Sequence, residues 1–125
     1  MNRTLRILVA DDIDPVRSLL TIFAERLEID CDAVATGSAA VEAFLGRRYD
    51  VVLLDCMMPG MSGYEAARLM RDFEQREQVH RTPIVAISSA PDEDLCRNAG
   101  MDGWGPKPSN AQELKTLLER YLGSA

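Results

Sequence analysis

The stretch Val51-Val52-Leu53-Leu54-Asp55 decides how this chain folds. Four apolar residues in a row, with no polar residue alternating, describe a strand buried on both faces. That is the pattern of a parallel sheet lying between two helical layers. The run stops abruptly at a carboxylate. Two other stretches repeat the design: Leu5 to Ala10, which ends in Asp11-Asp12, and Ile84-Val85-Ala86-Ile87, which ends at Ser88. Cys31 to Ala35 reads as a weaker strand closed by Thr36-Gly37. Met101 to Gly105 is poor by propensity and is placed as a strand because the alternation requires one there.

Helical patterns fill the intervals. Asp14-Pro15 reads as an N-cap followed by proline at the first helical position, and Val16, Leu19, Leu20, Phe23 and Leu27 follow at helical spacing. A second helix runs through Val41, Phe44 and Leu45. Ser62-Gly63-Tyr64-Glu65 has the spacing of a capping box. Pro91-Asp92 leads into a short helix that Gly100 closes. Asn110-Ala111-Gln112-Glu113 is a second capping box, before Leu114, Leu117, Leu118, Tyr121 and Leu122 on one face. Five strand-helix units with right-handed crossovers predict a three-layer α/β/α sandwich. A closed α/β barrel would need about 250 residues.

At 125 residues, the chain is sized for a single domain over 1–125, with its core over about 5–122. Twenty acidic against fourteen basic residues give a net charge of −6, which argues against nucleic acid or an anionic membrane as partner. No apolar stretch is long enough to span a bilayer, and the chain reaches Asp11 before a signal-peptide region can form. Cys31, Cys56 and Cys96 are odd in number and widely spaced, which fits neither a disulfide framework nor a zinc site. A reducing cytoplasm is the expected compartment. His80 reads as exposed loop, and the charge-rich run Met70 to Arg81 reads as a solvated helix end. Cys56 reads as a small core residue.

In an open parallel sheet, sites lie beyond the carboxyl ends of the strands. The residues there are Asp11, Asp12, Asp55, Ser88 and Lys107. A lone Asp after a strand is usually a cap or turn residue; three ending neighbouring strands call for another account. Two carboxylates about 4 Å apart repel by roughly 4 kcal/mol at an effective dielectric of 20. Either one is protonated or a cation sits among them. An all-oxygen site suits Mg²⁺, with Mn²⁺ as the alternative. With a lysine and a hydroxyl nearby, such a site stabilises a transferring phosphoryl group, and a carboxylate within it can act as nucleophile.

The set Ile-Leu-Val-Ala-Asp11-Asp12, Leu-Leu-Asp55-Cys-Met-Met-Pro59-Gly, Ile-Val-Ala-Ile-Ser88-Ser and Ala-Gly-Met-Asp-Gly-Trp104-Gly-Pro-Lys107-Pro108 resembles the response-regulator receiver domain of two-component signalling. Asp55-Cys-Met-Met-Pro and Ala-Gly-Met-Asp look most similar to receivers of phosphorelays and hybrid sensor kinases. The resemblance implies a flavodoxin-like sheet of order 2-1-3-4-5. It implies that Asp55 accepts a phosphoryl group from a histidine kinase or a histidine phosphotransfer protein. Asp11, Asp12, Asp55 and the backbone carbonyl of Met57 would hold Mg²⁺. Lys107 would pair with the phosphoryl group, Ser88 would bond one of its oxygens, and the Lys107–Pro108 bond would be cis. Trp104 falls at the switch position, usually Tyr or Phe. The module would catalyse its own phosphorylation and slow dephosphorylation without being a conventional enzyme. Nearly the whole chain is assigned to this domain, so output is expected to pass through a protein partner.

Three rivals are weaker. A haloacid-dehalogenase-like phosphatase needs a second Asp two positions on, where this chain has Met57. A flavodoxin-type module needs a Ser/Thr/Gly-rich loop after the first strand. A phosphorylation-independent binding module would not need the intact acidic set.

Overall fold

The computed structural model describes residues 4–122; the first and last three residues of the expected 1–125 domain, and with them the start of the leader reading, lie outside these. Strands β1 (Arg6–Ala10), β2 (Asp30–Val34), β3 (Val51–Asp55), β4 (Ile84–Ile87) and β5 (Gly103–Gly105) alternate with helices. These are α1 (Asp14–Arg26), α2 (Gly37–Gly46), α3 (Gly63–Glu77), α4 (Glu93–Asn98) and α5 (Ala111–Leu122). All strand pairs are parallel and the order is β2-β1-β3-β4-β5, as expected.

Successive residues of the central strands point to opposite faces, so the sheet separates two cores. Leu8, Ala10, Val52, Leu54, Ile84 and Ala86 pack toward α2, α3 and α4. Ile7, Val9, Val51, Leu53, Val85 and Ile87 pack toward α1 and α5. Every one of these side chains is essentially inaccessible to water, which explains why the strands carry no polar alternation. At about 25 cal/mol per Å² of apolar surface, this burial is the main term holding the layers together.

Helix starts follow their local chemistry. Thr36 Oγ1 accepts from the Ala39 amide, Ser62 Oγ from Glu65, Asp92 Oδ1 from Leu95 and Asn110 Oδ1 from Glu113. Glu113 does not complete a capping box; its carboxylate takes the Ser109 amide and hydroxyl instead. Gly100, at φ +84°, closes α4.

Several expectations are corrected. Asp14 is the first helical residue of α1, not its cap. The Ile13 amide is taken by the Asp11 side chain at 2.9 Å, and Asp14 pairs with Arg17. The last strand is only three residues long, because Met101 is buried in the core and Asp102 turns back to bond β4. No peptide bond among the described residues is cis, so Lys107–Pro108 is trans, the isomer that X-Pro bonds favour by about 0.5–1 kcal/mol.

The charge-rich run is exposed from Gln75 to Arg81, as expected, but its first part is partly buried. Arg71 and Glu74 are buried and paired at 2.7 Å. Arg71 also donates to the carbonyls of Gly100 and Thr82 and to Asp102, while Glu74 accepts from the Thr82 amide. Asp102 binds Arg81 and the Ile84 amide in turn. This network ties α3 to the entry of β4 and the exit of α4. His80 is exposed and Cys56 buried, as expected.

Candidate functional site

The register aligns Ala10 with Leu54, so Asp11 and Asp55 emerge side by side where β1 and β3 end. Asp11 is fully buried, Asp55 nearly so, and Asp12 is exposed. One carboxylate oxygen from each of the three lies within 4.8 Å of the other two. Lys107, beyond β5, reaches into this group. Its Nζ stands 2.9 Å from Asp11 Oδ2 and 3.5 Å from Asp55 Oδ2.

Each acid is held in place. Asp11 Oδ1 accepts from the Ile13 amide, and the Asp11 carbonyl accepts from Arg17 Nη1 at 2.8 Å. Asp55 Oδ1 accepts from the Met57 amide at 3.4 Å. Beneath Asp55, α3 begins at a glycine for a steric reason. A Cβ on Gly63 would stand 2.2 Å from the Asp55 carbonyl oxygen.

The electrostatics are unbalanced. Three carboxylates against one ammonium leave two formal negative charges at the cluster. Burial raises the Asp55 pKa above its ordinary value, and neighbouring Asp11 adds to the shift; Lys107 and the Met57 amide only partly oppose it. Burial alone would lower the Lys107 pKa, but Asp11 and Asp55 override it and the net shift is upward. Asp11 Oδ2 is buried without a hydrogen bond of good geometry, although the Lys107 ammonium stands 2.9 Å away. A buried anionic oxygen so placed, in an all-oxygen set carrying two excess negative charges, fits a hard divalent cation.

Ser88 follows β4, one residue past Ile87, the register partner of Asp55. Its hydroxyl accepts from the Ala90 amide at 3.3 Å. The Ser88 amide donates to the Gly105 carbonyl at 2.9 Å, linking it to β5. Trp104 is half-buried in β5, opposite Ala86. The Arg97 guanidinium of α4 lies 5.2 Å from the centroid of its ring. The same guanidinium pairs with Asp94 at 3.1 Å and Glu93 at 3.5 Å. The structure thus brings Asp11, Asp12, Asp55 and Lys107 together, with Ser88 one strand from Asp55 and Trp104 two strands away. Sequence reasoning missed Arg17, Gly63 and Arg97. Only Gly63 left a signal, a glycine at the first position of a helix.

This is a doubly wound α/β protein with a carboxylate-lysine cluster at the carboxyl end of its sheet. A sequence profile of the response regulator receiver domain matches residues 7–119, and the chain belongs to that family. It is 35% identical over 98% of its length to the virulence sensor protein BvgS of Bordetella pertussis, of which it covers 10%. It is similar to the receiver domain of sensor histidine kinase PA1611 from Pseudomonas aeruginosa, whose structure has a magnesium ion coordinated in the active-site cleft. That likeness has 31% identity and a TM-score of 0.84, covering 98% of this chain and 100% of the other. It also resembles the Vibrio cholerae chemotaxis protein CheY4, at 25% identity and a TM-score of 0.86, covering 96% and 100%. The chain spans about a tenth of the length of the curated relatives it matches.

Proposed function

We propose that this domain is a phosphoacceptor switch in which Asp55 takes a phosphoryl group from a phosphohistidine of a histidine kinase or histidine phosphotransfer protein. The observation that carries the reading is the convergence of Asp11, Asp12, Asp55 and Lys107 on one point at the carboxyl end of the sheet. An Asp55 carboxylate oxygen attacks phosphorus, the P–O bond forms, the P–N bond breaks, and the imidazole leaves with the bonding pair. Lys107 supplies positive charge to the phosphoryl oxygens as they are transferred. Asp11, Asp12, Asp55 and the Met57 carbonyl would hold Mg²⁺, which when bound offsets the charge gathered at the cluster. Slow return to the free carboxylate follows by attack of water on the same phosphorus.

Met57 is 72% exposed two residues past Asp55, and Ile13, just before α1, and Leu19 and Ile22 within it are also exposed. Exposed apolar residues of this kind suit a protein donor, in keeping with the acidic net charge, which disfavours nucleic acid. No described helix is long and apolar enough to cross a membrane. The free thiols at Cys31, Cys56 and Cys96 suit a cytoplasmic setting.

After transfer, Ser88 and Lys107 draw toward the phosphoryl group, shifting the population of states on the α4–β5–α5 side and so the affinity for a downstream protein partner. Incubation with Mg²⁺ and acetyl phosphate should add one phosphoryl group by intact-mass spectrometry. EDTA or Asp55→Asn should abolish it. No adduct on the wild type, or an undiminished one on Asp55→Asn, overturns the reading in favour of a phosphorylation-independent binding module.

A further inference from the structure

Trp104 is flanked by Gly103 and Gly105, so neither chain neighbour has a side chain to pack against it. Its position depends on the apolar layer beneath and on one cation above. That cation is the Arg97 guanidinium, 5.2 Å from the ring centroid. Arg97 is itself aimed by Asp94 and Glu93, both one turn back on α4. A second connection runs from this strand to the acidic site. The Gly105 carbonyl, next to Trp104, accepts the Ser88 amide at 2.9 Å, and Ser88 directly follows the strand residue paired with Asp55.

We propose that Arg97 is a latch on Trp104, holding the indole against α4 in the unphosphorylated state, so that phosphorylation of Asp55 must break this contact. The proposal rests on the phosphoacceptor reading and deepens it by naming the residue that opposes the switch. When Ser88 turns toward a phosphoryl group on Asp55, it pulls on Gly105 and so on the strand that carries Trp104. The indole leaves its seat only if it parts from a guanidinium anchored to α4. Phosphorylation at the end of β3 is thereby converted into a loosening between β5 and α4. Arg97 is a positioning residue. Its partners are Asp94, Glu93 and the Trp104 ring, not the carboxylates of the site, and its side chain is 58% exposed.

A solvent-exposed cation–π contact is worth a factor of about two to five in an equilibrium constant. Removing it should therefore tighten binding of beryllofluoride, a phosphoryl mimic, by that factor. The full chain suits the test because Trp104 is its one tryptophan. Beryllofluoride is titrated in the presence of Mg²⁺ against wild type, Arg97→Ala and Arg97→Lys, following indole fluorescence, with circular dichroism confirming that each is folded. Arg97→Ala should bind the mimic about two- to fivefold tighter, with Arg97→Lys in between. Acrylamide should also quench the unliganded Arg97→Ala protein more strongly than wild type. In a Trp104→Leu background, acetyl phosphate labelling by intact mass should be indifferent to Arg97→Ala.

Equal mimic affinity in wild type and Arg97→Ala overturns the latch, as does an Arg97 effect that persists without Trp104. In either case the wild type still takes up the phosphoryl group, so the phosphoacceptor reading stands. A wild type that binds no mimic and forms no adduct overturns both.

Discussion

Replacing Arg71 by methionine tests whether the buried ion network, and not apolar packing alone, joins α3 to the edge of the sheet. The arginine makes four hydrogen bonds of 2.7–2.9 Å, to Gly100, Glu74, Thr82 and Asp102. Methionine fills much of the same volume but removes every donor. Asp102 keeps Arg81 and the Ile84 amide, and Glu74 keeps only the Thr82 amide. The cost therefore falls mainly on Glu74, a 6%-exposed carboxylate left without a cation. Breaking a buried pair from one side costs about 3–5 kcal/mol, and the surviving amide bond points to the lower end, about 3 kcal/mol. For a chain of this length that is a fall in Tm of about 10 °C. Urea unfolding at 25 °C, followed by far-UV circular dichroism, should show the midpoint fall at unchanged slope. The double variant Arg71→Met/Glu74→Met should recover part of the loss, because the orphaned charge is gone. A single-variant loss under about 1 kcal/mol, or a double variant no more stable than the single, would refute the reasoning.

Two further predictions concern the acidic cluster. Because the folded-state pKa of Asp55 lies above its unfolded value of about 3.9, the folded protein binds more protons in that window, and this group subtracts stability as pH rises through it. Asp55→Asn should thus be more stable than wild type at pH 7 in EDTA, with the advantage vanishing below about pH 4; equal denaturation midpoints at pH 7 would contradict this. Lys107→Met removes the ammonium that competes with a cation for Asp11 and Asp55, so Mg²⁺ should bind it more tightly than wild type, whereas Asp12→Asn should weaken binding. Calorimetric titration reads both, and weaker binding by Lys107→Met would show that the lysine orders the site instead.

The layers and the acid positions were legible because each depends on local pattern. Val51 to Leu54 must be buried on both sides, and Asp11 and Asp55 must then project where their strands end. The network at Arg71 was not legible for the opposite reason. In a charge-rich helix, nothing local distinguishes a solvated arginine from one whose partners, Gly100 and Asp102, lie about thirty residues away. Asp14 was misread because three carboxylates stand near the helix start and the earliest, Asp11, takes the Ile13 amide. Arg97 over Trp104 joins two elements whose spacing carries no periodic signal. Ser88 follows its strand as read, but its hydroxyl direction depends on a backbone turn that residue type does not specify.

Of the five helices, α4 is the most lightly moored. It spans six residues and sinks a single side chain, Cys96, into the core, whereas α3 sinks Tyr64, Ala66, Ala67 and Met70. Detaching it locally therefore exposes little apolar surface, and its amides should exchange with solvent far sooner than those of α3. Under the proposed switch, a phosphoryl group on Asp55 would not have to remodel the whole domain, because the change falls on the α4–β5–α5 side, where the most lightly moored helix lies.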